Sequence, residues 1–144
     1  EAWSYELFEA YLPKASWNQT QQVQYSTDHE GYNGRSDYAE SCAGGYYAAR
    51  LAVAELLHRT RIQASCLALR FITGEYSAPL GVWVCREAAR KAAKSKPITF
   101  EDRETMLRYC QALAKRKFGY DATDILKESM ILRNIRQQRK LVQY

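Results

Sequence analysis

Histidine, proline and methionine are scarce in this chain of 144 residues, with 2 His, 3 Pro and 2 Met. Two histidines, His29 and His58, with no HExxH pair, do not supply a histidine-based metal site. The four cysteines, Cys42, Cys66, Cys85 and Cys110, stand 24, 19 and 25 residues apart. No CxxC occurs, so zinc-knuckle and thioredoxin chemistry lack their residues. The strings GxxxxGK[ST], GxGxxG and GxSxG are also missing. No metal and no cofactor is therefore expected. The longest apolar run, Leu51 to Leu57, is interrupted by Glu55 and is far short of the ~20 residues of a membrane helix. The start, Glu1-Ala2-Trp3, has neither the basic opening nor the apolar stretch of a secretory signal. It also lacks an initiator Met, from which the chain is expected to begin inside a longer protein or after processing.

What is present is a globular composition. Hydrophobic residues make up 47% and aromatic residues 12%, spread along the chain, which rules out a wholly disordered protein. A chain of this length can bury a core as one domain. Cys66, Cys85 and Cys110 sit in apolar surroundings, so buried reduced thiols and an intracellular setting are expected, a hyperthermophile's disulfide being the exception. The net charge of +5 is unevenly placed. Residues 1–45 hold seven acids and two bases, and residues 46–144 hold nineteen bases and nine acids. A basic portion of this size suits a polyanion, an acidic protein surface, or solvent alone.

Trp3, Leu7, Phe8, Tyr11 and Leu12 recur at helical spacing, which predicts an amphipathic helix over 3–12 ending before Pro13. Val23 and Tyr25 alternate in a short strand over 20–27. Residues 28–45, rich in Gly, Asp, Asn and Ser, read as a long loop. A buried helix is predicted over 46–59 and a central strand over 62–73. Pro79 can open a helix reaching about Ser95. Thr99-Phe-Glu-Asp102 resembles a capping box for a helix to about Lys117, closed by Gly119. Asp121 or Thr123 caps a last helix. The expected fold is α+β: a small mixed β-sheet covered by several α-helices, with a helical C-terminal third. One domain over 1–132 and a basic tail over 133–144 follow.

Three groups could carry chemistry. The loop ends in Gly44-Gly45 at a helix start, where backbone donors can hold an anion or simply pack closely. Arg50, Arg70 and Arg86 lie in or beside apolar elements and need partners, for which Glu30, Glu55, Glu75 and Glu87 are available. They either fix the fold as ion pairs or, with Arg35, Tyr46 and Tyr47, line a cleft for DNA backbone or another phosphate-bearing ligand. Glu30, Glu75 and Glu87 are the candidate general acids or bases if the cleft is catalytic. The third group is the C-terminus. Gln138, Leu141 and Tyr144 resemble the PCNA-interacting peptide, Q-x-x-aliphatic-x-x-aromatic-aromatic, without its second aromatic. There, an aliphatic and an aromatic side chain on one tight turn plug an apolar pocket of the sliding clamp.

A longer ordered string carries more information. Trp3-Ser-Tyr-Glu6, Glu9-Ala-Tyr-Leu12-Pro13, Trp17, Gly34-Arg35, Tyr38-Ala39 and Ala43-Gly-Gly-Tyr-Tyr-Ala-Ala-Arg-Leu-Ala-Val53 resemble the C-terminal domain of the archaeal Nre family. The likeness continues through Arg61, Gln63-Ala-Ser65, Leu67, Leu69-Arg70, Glu75-Tyr76, Ala78-Pro-Leu-Gly-Val-Trp-Val84 and Arg86-Glu87. It covers most of residues 3–97 and is loose over 98–130. The resemblance implies a DNA-repair role, a terminal PCNA-binding motif at Gln138, Leu141 and Tyr144, and an N-terminal domain or longer parent chain as partner. A cytoplasmic, nucleoid-associated protein with no membrane contact is expected, and the resemblance carries over no settled catalytic residues. The expected function is a repair accessory factor tethered to the PCNA sliding clamp. An enzyme acting on a nucleotide or phosphodiester in the same cleft is the alternative, and an RNA- or ribosome-associated protein is the second.

Overall fold

Eight residues close to the N-terminus form the centre of the structure. The computed structural model describes residues 2–75 and 81–137. It places strand β1 at Ser4–Tyr11, with β2 (Gln24–Glu30) antiparallel on one side and β3 (Ser65–Ile72) parallel on the other. Tyr5 pairs with Glu30 and Tyr11 with Gln24, while Ser4 aligns with Ser65 and Tyr11 with Ile72. The sheet is mixed and the fold is α+β.

The helix expected over 3–12 is thus a strand. Tyr5 and Leu7 face one side of the sheet, Phe8 and Ala10 the other, and all four are buried. A strand covered on both faces loses its apolar–polar alternation, and the remaining apolar spacing imitates a helical turn. The expected central strand, β3, lies at the edge. β2 begins and ends later than expected, so Asp28, His29 and Glu30 belong to a strand rather than to the loop.

Among the described residues five helices follow: α1 (Ala43–Thr60), α2 (Val82–Lys94), α3 (Arg103–Phe118), α4 (Thr123–Glu128) and α5 (Met130–Gln137). α1 covers one sheet face, its Tyr46 and Ala49 packing with Tyr5, Leu7, Cys42 and Cys85, and α2 packs on α1. On the opposite face Phe8 and Ala10 meet Ile125 of α4, with Leu67, Leu69, Phe71 and Tyr120 around them. Phe118 at the end of α3 stacks on Phe71 with ring centroids 4.6 Å apart. Asp102 is itself the N-cap of α3, its carboxylate accepting from the Thr105 amide at 2.7 Å, in place of the capping box drawn from Thr99. Gly119, at φ 67, ends α3 as expected.

The single last helix divides at Ser129. The Ser129 hydroxyl accepts from the Leu132 amide at 3.2 Å and donates to Glu6 at 2.5 Å. Glu6, fully buried on β1, also accepts from the amides of Met130 (2.9 Å) and Ile131 (3.1 Å). A carboxylate from the sheet therefore sits at the N-terminus of α5, where unpaired amides and the helix dipole favour negative charge. All four cysteines are free thiols. Cys42 and Cys85 are buried, and burial pushes the Cys42 thiol up to about 12.

Candidate functional site

β2 delivers Asp28 and Glu30 to the α1 side of the sheet, because residues two apart on a strand share a face. α1 brings Tyr46 and Arg50, one turn apart, over Glu30. The Glu30 carboxylate accepts from Trp3 Nε1 (2.8 Å), the Tyr46 hydroxyl (3.0 Å), and Arg50 Nε (2.9 Å) and Nη2 (2.7 Å). Burial opposes its charge, but the bonds from Arg50, Trp3 and Tyr46 outweigh burial and hold its pKa below the usual value. Burial, then the charge of Glu30, raise the Tyr46 phenol. The Arg50 guanidinium also lies 5.5 Å from the Trp3 ring centroid.

Arg35 organises the loop between β2 and α1. Its guanidinium donates to the carbonyls of His29 (2.9 Å), Asp37 (3.1 Å) and Tyr38 (3.3 Å), and lies 3.6 Å from Asp28. Asp28 in turn accepts from the Cys42 amide at 2.6 Å, at the start of α1. Tyr47 accepts from the Ala39 amide at 2.9 Å and packs on Tyr38 with centroids 4.8 Å apart. The result is an open cleft of about 350 Å³ lined by Glu30, Arg35, Ser36, Asp37, Tyr38, Tyr47 and Arg50.

The cleft unites Glu30, Arg35, Tyr47 and Arg50 from the residues singled out in the sequence, with Tyr46 beneath them. It does not include Arg70 or Arg86. Arg70 pairs with Glu9 of β1 at 2.5 Å, not with Glu75, which is exposed in the turn after β3. Arg86 lies on α2 beside Glu87 at 3.2 Å. Arg90 joins Glu87 (2.9 Å) to Glu55 (2.5 Å), binding α2 to α1. The three carboxylates weighed for acid–base work thus stand on three different elements. Glu30 has its acceptor capacity taken by donors.

The glycine-led start of α1 is packed against its neighbours. A Cβ at Gly44 would meet the Val82 side chain, and one at Gly45 would overlap the Glu9 carboxylate. Both glycines answer to close packing. Glu9 escaped notice as Arg70's partner because a helix over 3–12 turned it toward solvent. Trp3 escaped notice as a Glu30 donor because the same helix made it part of an apolar stripe, with no polar partner in view. Gln138, Leu141 and Tyr144 lie outside the described residues. Among the described residues no group of three or more His, Cys, Asp or Glu could hold a metal, and no helix is long and apolar enough to cross a membrane.

The formal charges at the cleft nearly cancel. Arg35 and Arg50 face Asp28, Glu30 and Asp37, so the cleft is not an electropositive basin. Among the described residues, Arg50 Nη1 is the one guanidinium nitrogen of the pair without a hydrogen bond. Such a site can offer one charged donor and two tyrosine faces to a small ligand.

A family model described as "Archaeal Nre, C-terminal" matches residues 30–144. The chain is 44% identical over 107 residues to DNA repair protein NreB of Archaeoglobus fulgidus, covering 74% of this chain and 27% of that protein. It is 45% identical over 101 residues to DNA repair protein NreA of the same organism, covering 70% and 25%. With DNA repair protein NreA of Haloferax volcanii the identity is 39% over 92 residues, covering 62% and 22%. The chain thus spans about a quarter of the length of the curated relatives it matches. No solved structure matches it.

Proposed function

The chain belongs to the archaeal Nre family, and on that footing we propose that it serves DNA repair as an accessory factor tethered to the PCNA sliding clamp. The observation that carries the repair role is the family match over residues 30–144, with relatives named DNA repair proteins at 39–45% identity. The tether rests on the order Gln138, Leu141, Tyr144. Leu141 and Tyr144 would fill the apolar pocket of the clamp, and Arg139 and Lys140 would add attraction to an acidic rim.

The cleft between β2 and α1 is the ligand site of this reading. Its balanced charge favours a small phosphate-bearing ligand with an aromatic ring, held by Arg50 Nη1 and the faces of Tyr38 and Tyr47, over a long run of DNA backbone.

Calorimetry of the chain with an archaeal PCNA ring tests the tether. Wild-type chain is expected to bind, and the Leu141→Ala/Tyr144→Ala double variant to lose that binding. Equal heats from the two proteins, or no binding even when a Phe is appended after Tyr144, would remove the tether.

A further inference from the structure

The cations that the cleft lacks are found on α3. From Arg103 to Phe118 it carries Arg103, Arg108, Lys115, Arg116 and Lys117 against one acid, Glu104. Among the described residues none of these five forms an ion pair, whereas Arg35, Arg50, Arg70, Arg86 and Arg90 all do. Ala114 is the only buried residue of the helix. Leu107, Cys110, Gln111, Ala114 and Phe118 turn toward the protein, and the opposite side is solvent-facing. That outer face brings together Arg108, Ala112, Lys115 and Arg116, with Tyr109 beside them, by the 3.6-residue period.

Helix electrostatics account for only part of this. Lys115, Arg116 and Lys117 suit the negative end of the helix dipole. Arg103 lies in the first turn, where the dipole disfavours cations, and Arg108, beyond that turn, gains nothing from it. The charge on α3 therefore exceeds what the helix itself can use. Its spacing fits a duplex. Arg108 and Lys115 are two turns apart, about 11 Å along the axis, close to the ~12 Å width of a major groove. Ala112 between them leaves the backbone free to approach.

We infer that the outer face of α3, with Arg108, Lys115 and Arg116 as its phosphate contacts, is the surface by which this protein lies on double-stranded nucleic acid. This rests on the repair reading above but assigns the polyanion to α3, leaving the cleft to a small ligand. The contacts go to phosphates, so binding is independent of base sequence and strongly salt-dependent.

The test is fluorescence anisotropy of the 144-residue chain with a labelled random-sequence DNA duplex, between about 50 mM and 200 mM salt. The Arg108→Ser/Lys115→Ser/Arg116→Ser variant is expected to lower the slope of log K against log salt by about 2.7, three contacts at ~0.9 each. At about 0.1 M salt the same relation gives weakening of about 500-fold. Circular dichroism establishes that the variant is folded; if it is not, Lys115→Ser alone is expected to lower the slope by about 0.9. Lys91→Ser, which removes an exposed cation from α2, is expected to leave the slope unchanged.

An unchanged slope in the folded α3 variant overturns the inference, as does wild-type chain that ignores the duplex at about 50 mM salt. Displacement of the duplex by polyglutamate at equal charge concentration would make an acidic protein the partner and overturn it equally. Clamp binding by the same wild-type sample separates the two readings. If the clamp binds and the duplex does not, α3 loses its assignment and the tether stands.

Discussion

Replacing Glu6 by Gln removes one charge and leaves the side-chain shape nearly intact. Glu6 is fully buried and accepts from the Ser129 hydroxyl and the amides of Met130 and Ile131. A glutamine there can accept through one oxygen only. Its NH2 group must face at least one of the three donors, and that donor stays buried and unpaired. A hydrogen bond to a charged group contributes about 1.5–3 kcal/mol, and an orphaned buried donor costs about 1–3 kcal/mol. The helix dipole at α5 adds about 0.3–1 kcal/mol. These overlap, so Glu6→Gln is expected to cost about 3 kcal/mol rather than their sum. For a chain of this size that is a fall of about 6–12 °C in Tm. Urea unfolding gives the free energy, and hydrogen exchange at the Met130 and Ile131 amides gives its location. A Glu6→Gln protein within about 0.5 kcal/mol of wild type, with both amides still protected, would refute the capping role of Glu6.

Glu30 supplies a pH dependence with a definite sign. Its folded pKa lies below the ordinary 4.5, so its ion pair stabilises fully above that value and is lost as pH falls through the lower, folded one. Glu30→Gln should therefore be less stable than wild type at neutral pH, with the gap in urea midpoints closing in acid; a gap that widens in acid would reverse the argument. Gly45→Ala drives a methyl into the Glu9 carboxylate and is expected to cost about 1–3 kcal/mol by thermal unfolding. Gly31→Ala, with nothing within 4 Å of its added carbon, serves as the reference, and equal loss at both sites would discount the Glu9 contact.

How much of this was legible in the sequence depends on whether the governing contact was local. α1, α2 and α3 follow from apolar periodicity and end signals such as Gly119, so their existence was legible and their ends shifted by a few residues. β1 was not legible, because its apolar residues fill two faces and the helices that cover them come from distant parts of the chain. The same error hid Glu6, Glu9 and Trp3. A carboxylate on a supposed amphipathic helix reads as solvated and a tryptophan as plain core, and only the partners at Ser129, Arg70 and Glu30 show otherwise. Half of the cleft was readable for a local reason: Tyr46, Tyr47 and Arg50 share one turn of α1, and Arg35 sits in the adjoining loop. The separation of Arg70 and Arg86 from them depends on sheet order and on which face of α2 meets α1, and neither is encoded in residue spacing.

The position of β1 has a consequence for how this protein can be cut. The family match begins at residue 30, yet β1 and nearly all of β2 come earlier in the chain. A fragment trimmed to the matched region would keep every helix and one strand. It would lose the strand that both sheet faces are built on, together with the carboxylate that holds α5. Such a fragment is expected to be a shifting helical assembly rather than a smaller copy of the fold. The timing of synthesis points the same way. Glu6 meets Ile131 across 125 residues of sequence, so β1 waits for α5 to be synthesised before its buried carboxylate is satisfied. The matched region and the folding unit have different starting points here.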